Sequence, residues 1–245
     1  MIQIGKIADD IRDMLFPVRC PVCDRPVRYQ ERKEGICTEC RKRLPLIKNN
    51  RCFKCGRMLE KPGEEFCRDC RERRTVHFYE KGLALCCYND IMRESLYKMK
   101  YQGRREYAET YGRIMARYFG NVIKRTGVEG IIPVPLHPKR ERERGYNQAA
   151  LLARAFGRES GIPVYENYLV RARHTPPMKS LSIAERQNNL KRAFKIRQND
   201  VKLKVIIVID DIYTTGSTID AVAKMLLKAG TLRVFFITLA IGEDI

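Results

Sequence analysis

The segment 204–218 leaves few folds open to this chain. Val205 begins a run of five apolar, β-branched residues that ends at two adjacent carboxylates, Asp210 and Asp211. Three residues later the chain reads Thr214, Thr215, Gly216, Ser217 and Thr218. A run this short and apolar reads as a strand buried in a parallel sheet, delivering both acids to its carboxyl edge. Gly216 permits a tight turn, the neighbouring hydroxyls can donate hydrogen bonds, and a helix over 217–229 points its positive dipole end at a phosphate. The alternative is a plain strand-to-helix connection with exposed acids. Two adjacent carboxylates at a buried edge argue against it, because they are costly without hydroxyl or cation partners.

That string resembles the phosphoribosyl pyrophosphate (PRPP) signature of type I phosphoribosyltransferases. Carried over, the resemblance implies that Asp210 and Asp211 hold the ribose hydroxyls and that Thr214, Thr215, Gly216, Ser217 and Thr218 cradle the 5-phosphate. Magnesium would accompany PRPP, bridging ribose and pyrophosphate. One position departs from the purine-salvage members that use hypoxanthine or guanine. Three residues after the second acid they carry an Asp that handles the base proton, where this chain has Thr214. A hydroxyl is not a general base near neutral pH without help.

Eight of the ten cysteines form four Cys-x-x-Cys pairs: Cys20/Cys23, Cys37/Cys40, Cys52/Cys55 and Cys67/Cys70. Two thiolates at this spacing fit adjacent corners of a zinc tetrahedron, so four pairs imply two structural zinc ions. The repeated strings Cys-Pro-Val-Cys-Asp-Arg and Cys-Phe-Lys-Cys-Gly-Arg favour sequential pairing into two similar ribbons over an interleaved arrangement. Spacing alone leaves an Fe–S cluster open, and a disulfide framework is disfavoured without an export signal. Cys86 and Cys87 read as small core residues of a strand.

The 245 residues suffice for one sizeable core plus a small module. The formal net charge is +19, and it is unevenly placed. Residues 1–80 carry 19 Lys/Arg against 13 Asp/Glu, an excess largely cancelled once eight thiolates hold two zinc ions, whereas 91–197 carry 23 against 9. A polyanion would be drawn to the second region, although an evenly solvated surface accounts for the same count. The start of the chain reads as an amphipathic helix, and no stretch has the length and apolarity of a membrane span. A cytoplasmic protein is expected.

Two basic stretches fit the same picture. A short strand over 131–134 runs into Pro135, His137, Lys139, Arg140, Arg142 and Arg144, read as an anion-receiving loop at a sheet edge, with Arg142 and Arg144 as pyrophosphate partners and a charged helix start as the alternative. A Pro-broken basic loop from Arg171 carries Lys179 as a further cation and ends in a helix capped by Ser182 and Glu185; such a loop could close over substrate. Strands are expected at 83–88, 131–134, 164–170, 205–210 and 233–240, and helices at 91–100, 106–125, 147–159, 183–192 and 217–229. Tyr97, Lys100 and Tyr101 mix aromatic and basic character on one helix, read chiefly as an amphipathic surface with base stacking as the sharper alternative.

Taken with the cysteine pairs, Pro133-Val-Pro-Leu-His-Pro, Arg144-Gly-Tyr-Asn-Gln and Ser182-x-x-Glu185-Arg186-x-x-Asn189 resemble the ComF family of competence proteins and the related GntX proteins, over nearly the whole chain. The resemblance implies an α/β type I phosphoribosyltransferase fold, a mainly parallel central sheet with flanking helices, over 81–245. A small double zinc-ribbon module over 1–80 precedes it. It also implies a role in natural transformation, with single-stranded DNA and other competence proteins as partners. Five residues follow the last expected strand, so cover for an acceptor is expected from the zinc module or from 91–101. His137 and His174 are the candidate acid–base groups, each read more readily as polar surface beside proline. Two functions stay open: Mg-dependent phosphoribosyl transfer to an unassigned acceptor, and non-catalytic PRPP sensing coupled to DNA or partner binding.

Overall fold

The computed structural model describes residues 17–72, 77–172, 193–197 and 202–242. Its elements run α1 (Thr38–Arg43), α2 (Arg68–Glu72), β1 (Lys81–Cys87), α3 (Asp90–Tyr101), α4 (Tyr107–Lys124), β2 (Gly130–Pro133), α5 (Pro138–Arg144) and α6 (Gln148–Ser160). They continue with β3 (Leu169–Arg171), β4 (Phe194–Ile196), β5 (Val205–Tyr213), α7 (Ser217–Lys228) and β6 (Arg233–Ile241). Four strands form a parallel sheet in the order β1-β6-β5-β2.

The apolar run of β5 explains its place inside that sheet. Ile206, Ile207, Val208 and Ile209 are all buried. Because side chains alternate across a strand, Ile207 and Ile209 enter one core with Met115, Phe119, Leu152 and Phe156 of α4 and α6. Ile206 and Val208 enter the other, with Val222 and Leu226 of α7 and Phe236 of β6. A strand apolar on both faces is what a sheet covered by helices on both sides requires.

The cysteine-rich segment is built onto the free edge of β1. Leu46 bridges Cys86 in antiparallel fashion, with Ile47 N–H donating to the Leu85 carbonyl and Cys87 N–H to the Pro45 carbonyl, both at 2.9 Å. An exposed strand edge is thereby paired. The two halves of the segment then take opposite sides. Cys20, Val27, Ile36, Cys40 and Leu44 join the α4/α6 core, whereas Ile47, Cys52, Cys55, Leu59 and Cys67 join the α7 core. Gly56, at φ +77°, lies so close to β1 that an added Cβ would come within 2.6 Å of the Gly82 carbonyl oxygen.

The expected helices at 91–100, 106–125, 147–159 and 217–229 are present with ends shifted by a residue. The helix expected at 183–192 and the amphipathic start of the chain lie outside the described residues. Two expectations are corrected. The strand expected at 164–170 is interrupted: Val164 makes only a parallel bridge to Ile131, a turn follows at Glu166 and Asn167, and β3 pairs antiparallel with β4. Asn favours such turns because its side chain competes for the backbone. The Arg-rich stretch after His137 is a helix, α5. His137 is its N-cap, Pro138 stands in its first turn, and Gly145 ends it at φ +82°, the expected Pro-first and Gly-last pattern.

Candidate functional site

Both cysteine sets are assembled in sequential pairing. The sulfurs of Cys20, Cys23, Cys37 and Cys40 lie within 4.8 Å of one another, and so do those of Cys52, Cys55, Cys67 and Cys70. Individual Sγ separations are 3.7 Å for Cys20–Cys37, 3.9 Å for Cys23–Cys37 and 3.6 Å for Cys55–Cys67. Four thiolates at a Zn–S distance of about 2.3 Å around a tetrahedral ion sit about 3.8 Å apart. The donor sets therefore fit two structural zinc ions with closed, all-sulfur coordination. Cys86 is buried in β1 and belongs to neither set.

Near the carboxyl end of β5 the acid pair makes one ion pair among the described residues. Lys100 Nζ, reaching from the end of α3, lies 2.7 Å from Asp211 Oδ2, and the Asp211 N–H donates to Asp210 Oδ1 at 2.8 Å. Burial and the adjacent Asp211 charge push the Asp210 carboxyl well above the usual carboxylate range. Burial acts on Asp211 as well, but Lys100, seconded by Arg144, holds it below its ordinary value. The pair thus holds one readily ionised carboxylate and one that resists ionisation until further cations or hydroxyl donors arrive.

These acids form the floor of a cleft of about 250 Å³. Arg140 and Arg144 of α5 and Arg171 of β3 line it, together with Lys100, Tyr101, Asn147, Gln148 and Thr218. Arg171 is only 9% exposed; burial, and then the charge of Arg140, lower its pKa while Asp210 opposes them. Arg144 donates to Gln148 and stacks 5.2 Å above Tyr101. Tyr146 donates to the Met99 carbonyl, which ties the loop after α5 to the end of α3 that carries Lys100.

The loop below the acids begins α7. Gly216 is the N-cap at φ +76°, with no side-chain cap, and an added Cβ would lie 2.3 Å from the Tyr213 hydroxyl. Thr215 and Ser217 are buried with their hydroxyls 3.0 Å apart. Asp220 N–H closes the first helical bond on the Gly216 carbonyl at 2.8 Å, leaving the earlier N–H groups of the turn aimed past the helix end.

Of the residues singled out from sequence, Asp210, Asp211, Thr218 and Arg144 share the cleft, with Thr215, Gly216 and Ser217 in the turn beneath. Thr214 is exposed on that turn. Arg142 is exposed and does not line the cleft; two residues from either partner, it sits roughly 200° round the helix. Lys179 and His174 lie outside the described residues. His137 Nδ1 accepts from the Lys139 N–H at 3.2 Å as the cap of α5. Sequence reasoning missed Lys100, Arg140 and Arg171 as site residues. Helical periodicity from Pro138 would have paired Arg140 with Arg144; no local signal marks Lys100.

Fold and site together define a class: a parallel α/β domain with an acid pair and an anion-type turn at its strand ends, joined to two four-cysteine zinc sites. Residues 11–71 match the family model of the double zinc ribbon domain. The chain is 31% identical over 221 residues to Competence protein F of Haemophilus influenzae, covering 88% of this chain and 93% of that relative. It is 31% identical to Competence protein ComFC of Bacillus subtilis, covering 80% of each. To DNA utilization protein YhgH of Escherichia coli K12 it is 27% identical, covering 88% and 86%. This chain belongs to the ComF family of competence proteins. Among solved structures, a Trypanosoma cruzi hypoxanthine phosphoribosyltransferase aligns at TM-score 0.37 and 13% identity over 56% of this chain and 66% of that one, a likeness too slight to carry weight. No helix among the described residues is long and apolar enough to cross a membrane.

Proposed function

We propose that this protein binds PRPP with magnesium and transfers its phosphoribosyl group to an acceptor during the handling of incoming single-stranded DNA. The observation that carries the reading is the half-buried Asp210–Asp211 pair near the carboxyl end of β5, met by Lys100 and set above the Gly216 turn. Among the described residues the two adjacent acids make one ion pair, to Lys100, and vicinal ribose hydroxyls supply donors of the right number and spacing. The N–H groups of the first turn of α7, with the hydroxyls of Thr215, Ser217 and Thr218, suit the 5-phosphate. Arg140, Arg144 and Arg171 suit the pyrophosphate.

Magnesium, when bound, would neutralise pyrophosphate charge, with Asp210 and Asp211 as the carboxylates offered to the ribose–metal unit. In transfer, the bond from the anomeric carbon to pyrophosphate breaks as a bond to the acceptor nucleophile forms, and positive charge gathers on the ribose ring. The acid pair stabilises that charge while the arginines hold the departing pyrophosphate. The relatives' names, competence and DNA utilization proteins, support placing the reaction in DNA uptake.

A second reading, PRPP sensing without turnover, is favoured by two features. Thr214 stands where some purine-salvage enzymes place an acid, and His137 Nδ1 is engaged in capping α5. Incubation with PRPP, magnesium and a panel of nucleobases, nucleosides and short single-stranded DNA separates the two. Pyrophosphate release that disappears in Asp210→Ala/Asp211→Ala is the expected result; saturable PRPP binding with no release on any acceptor selects the sensor.

A further inference from the structure

The second ribbon touches the proposed phosphate turn directly. Arg57, two residues after Cys55, is 4% exposed. Its Nη1 lies 3.1 Å from Asp69 Oδ2, between Cys67 and Cys70, and its Nη2 donates to the Thr214 carbonyl at 3.3 Å. A single planar guanidinium thus spans from the zinc loop to the turn, a geometry that Lys does not reproduce with one ammonium. The segment following the ribbon grips the same turn from another side. Tyr79 and Tyr213 hydroxyls are 2.8 Å apart, Gly216 packs over the Tyr213 hydroxyl, and Asp220 accepts from the Phe78 N–H at 3.1 Å and faces His77 Nδ1 at 2.9 Å. Lys54, between Cys52 and Cys55, donates to the Tyr79 carbonyl at 2.6 Å. The first ribbon is anchored elsewhere: Asp24 beside Cys23 accepts from Tyr107 at 2.6 Å and pairs with Arg104 at 3.0 Å.

We propose that Arg57 is a positioning residue for phosphate binding, through which the second zinc ribbon, and not the first, holds the Thr214–Ser217 turn in its binding shape. The inference deepens the PRPP reading and rests on it. Holding the Thr214 carbonyl outward fixes the backbone that must present Gly216 and the following N–H groups to an anion. Preorganisation of this kind appears as affinity. By linkage the effect is reciprocal: phosphate binding must strengthen retention of the second zinc.

The test uses zinc-loaded, full-length protein and Arg57→Lys, which keeps a cation beside Asp69. The variant should retain two zinc ions per chain, bind PRPP about tenfold more weakly, and show faster hydrogen exchange through 214–219 without ligand. Arg25→Ala, an exposed cation of the first ribbon, should change neither. Wild-type affinity and wild-type exchange in Arg57→Lys would overturn the proposal. If the unmodified protein does not bind PRPP, the functional reading falls, and the exchange measurement still decides the role of Arg57. Should Arg57→Lys lose the second zinc, chelator-driven alkylation of unmodified protein decides instead. Saturating PRPP should slow labelling of Cys52, Cys55, Cys67 and Cys70 and leave Cys20, Cys23, Cys37 and Cys40 unaffected; equal rates with and without PRPP would contradict the coupling.

Discussion

Asp210 and Asp211 are adjacent, half-buried and unequal, and that inequality sets a cost that the free protein carries. Asp211 is held ionised by Lys100, so its contribution to stability is present above the unfolded carboxylate value and is lost as pH falls through its depressed folded value. For Asp210 the sign is opposite. Its folded pKa is raised, so its contribution is complete below the unfolded value and is lost as pH rises through the raised one. The reluctance of Asp210 to ionise therefore destabilises the unliganded fold above the ordinary carboxylate range. Asp210→Asn should raise the thermal midpoint, by about 2–4 °C per kcal/mol recovered in a chain of this size, with the gap larger at pH 8 than in the ordinary carboxylate range. Calorimetry across that range checks it; an unchanged or lowered midpoint at pH 8 would contradict the assignment. The same variant should bind PRPP poorly, a trade of stability for function.

Single elements explain what was legible in the sequence and what was not. The unit β5–turn–α7 is local: five apolar residues, two acids and a glycine at φ +76° lie within one stretch, and periodicity suffices to read them. The cysteine pairs are local too, and their repeated strings pointed to the pairing. Lys100 and Arg171 reach the acids from elements distant in sequence, brought there by sheet order and by the packing of α3 and β3, which no spacing rule encodes. Arg142 illustrates a subtler difference. Read as a loop, 139–144 offers every cation equally; wound as α5, it turns Arg140 and Arg144 to the cleft and Arg142 to solvent. Accordingly, Arg140→Ala and Arg144→Ala should each weaken PRPP binding by about tenfold or more, whereas Arg142→Ala should lower it only through long-range charge and lose that effect in high salt. Equal losses for all three, measured by titration at two salt concentrations, would contradict the placement. Gly216 gives a second contrast. Gly145→Ala, at φ +82° with open space around it, should cost about 1 kcal/mol. Gly216→Ala adds a collision with the Tyr213 hydroxyl and should cost more, read as the difference in denaturation midpoints.

At the scale of the molecule, the two ribbons share the cores on opposite faces of one sheet and cover its β1 edge. Metal binding at such sites is folding free energy. Chelation of zinc should therefore lower the thermal midpoint of the helices of the sheet domain, followed by circular dichroism, and not melt the ribbons alone; an unchanged main transition would show that the sheet domain stands independently. The basic excess of 91–197 includes Lys100, Arg140, Arg144 and Arg171, so part of it faces the cleft and cannot be counted as solvated surface. The proposed PRPP site is the Asp210–Asp211 edge above the Gly216 turn. Calorimetric titration of zinc-loaded protein with PRPP and magnesium decides whether it is one. Saturable binding at one site per chain, lost in Asp210→Asn/Asp211→Asn while both zinc ions and the fold are kept, is the predicted result. No binding to the unmodified protein, or undiminished binding to the double variant, would contradict it.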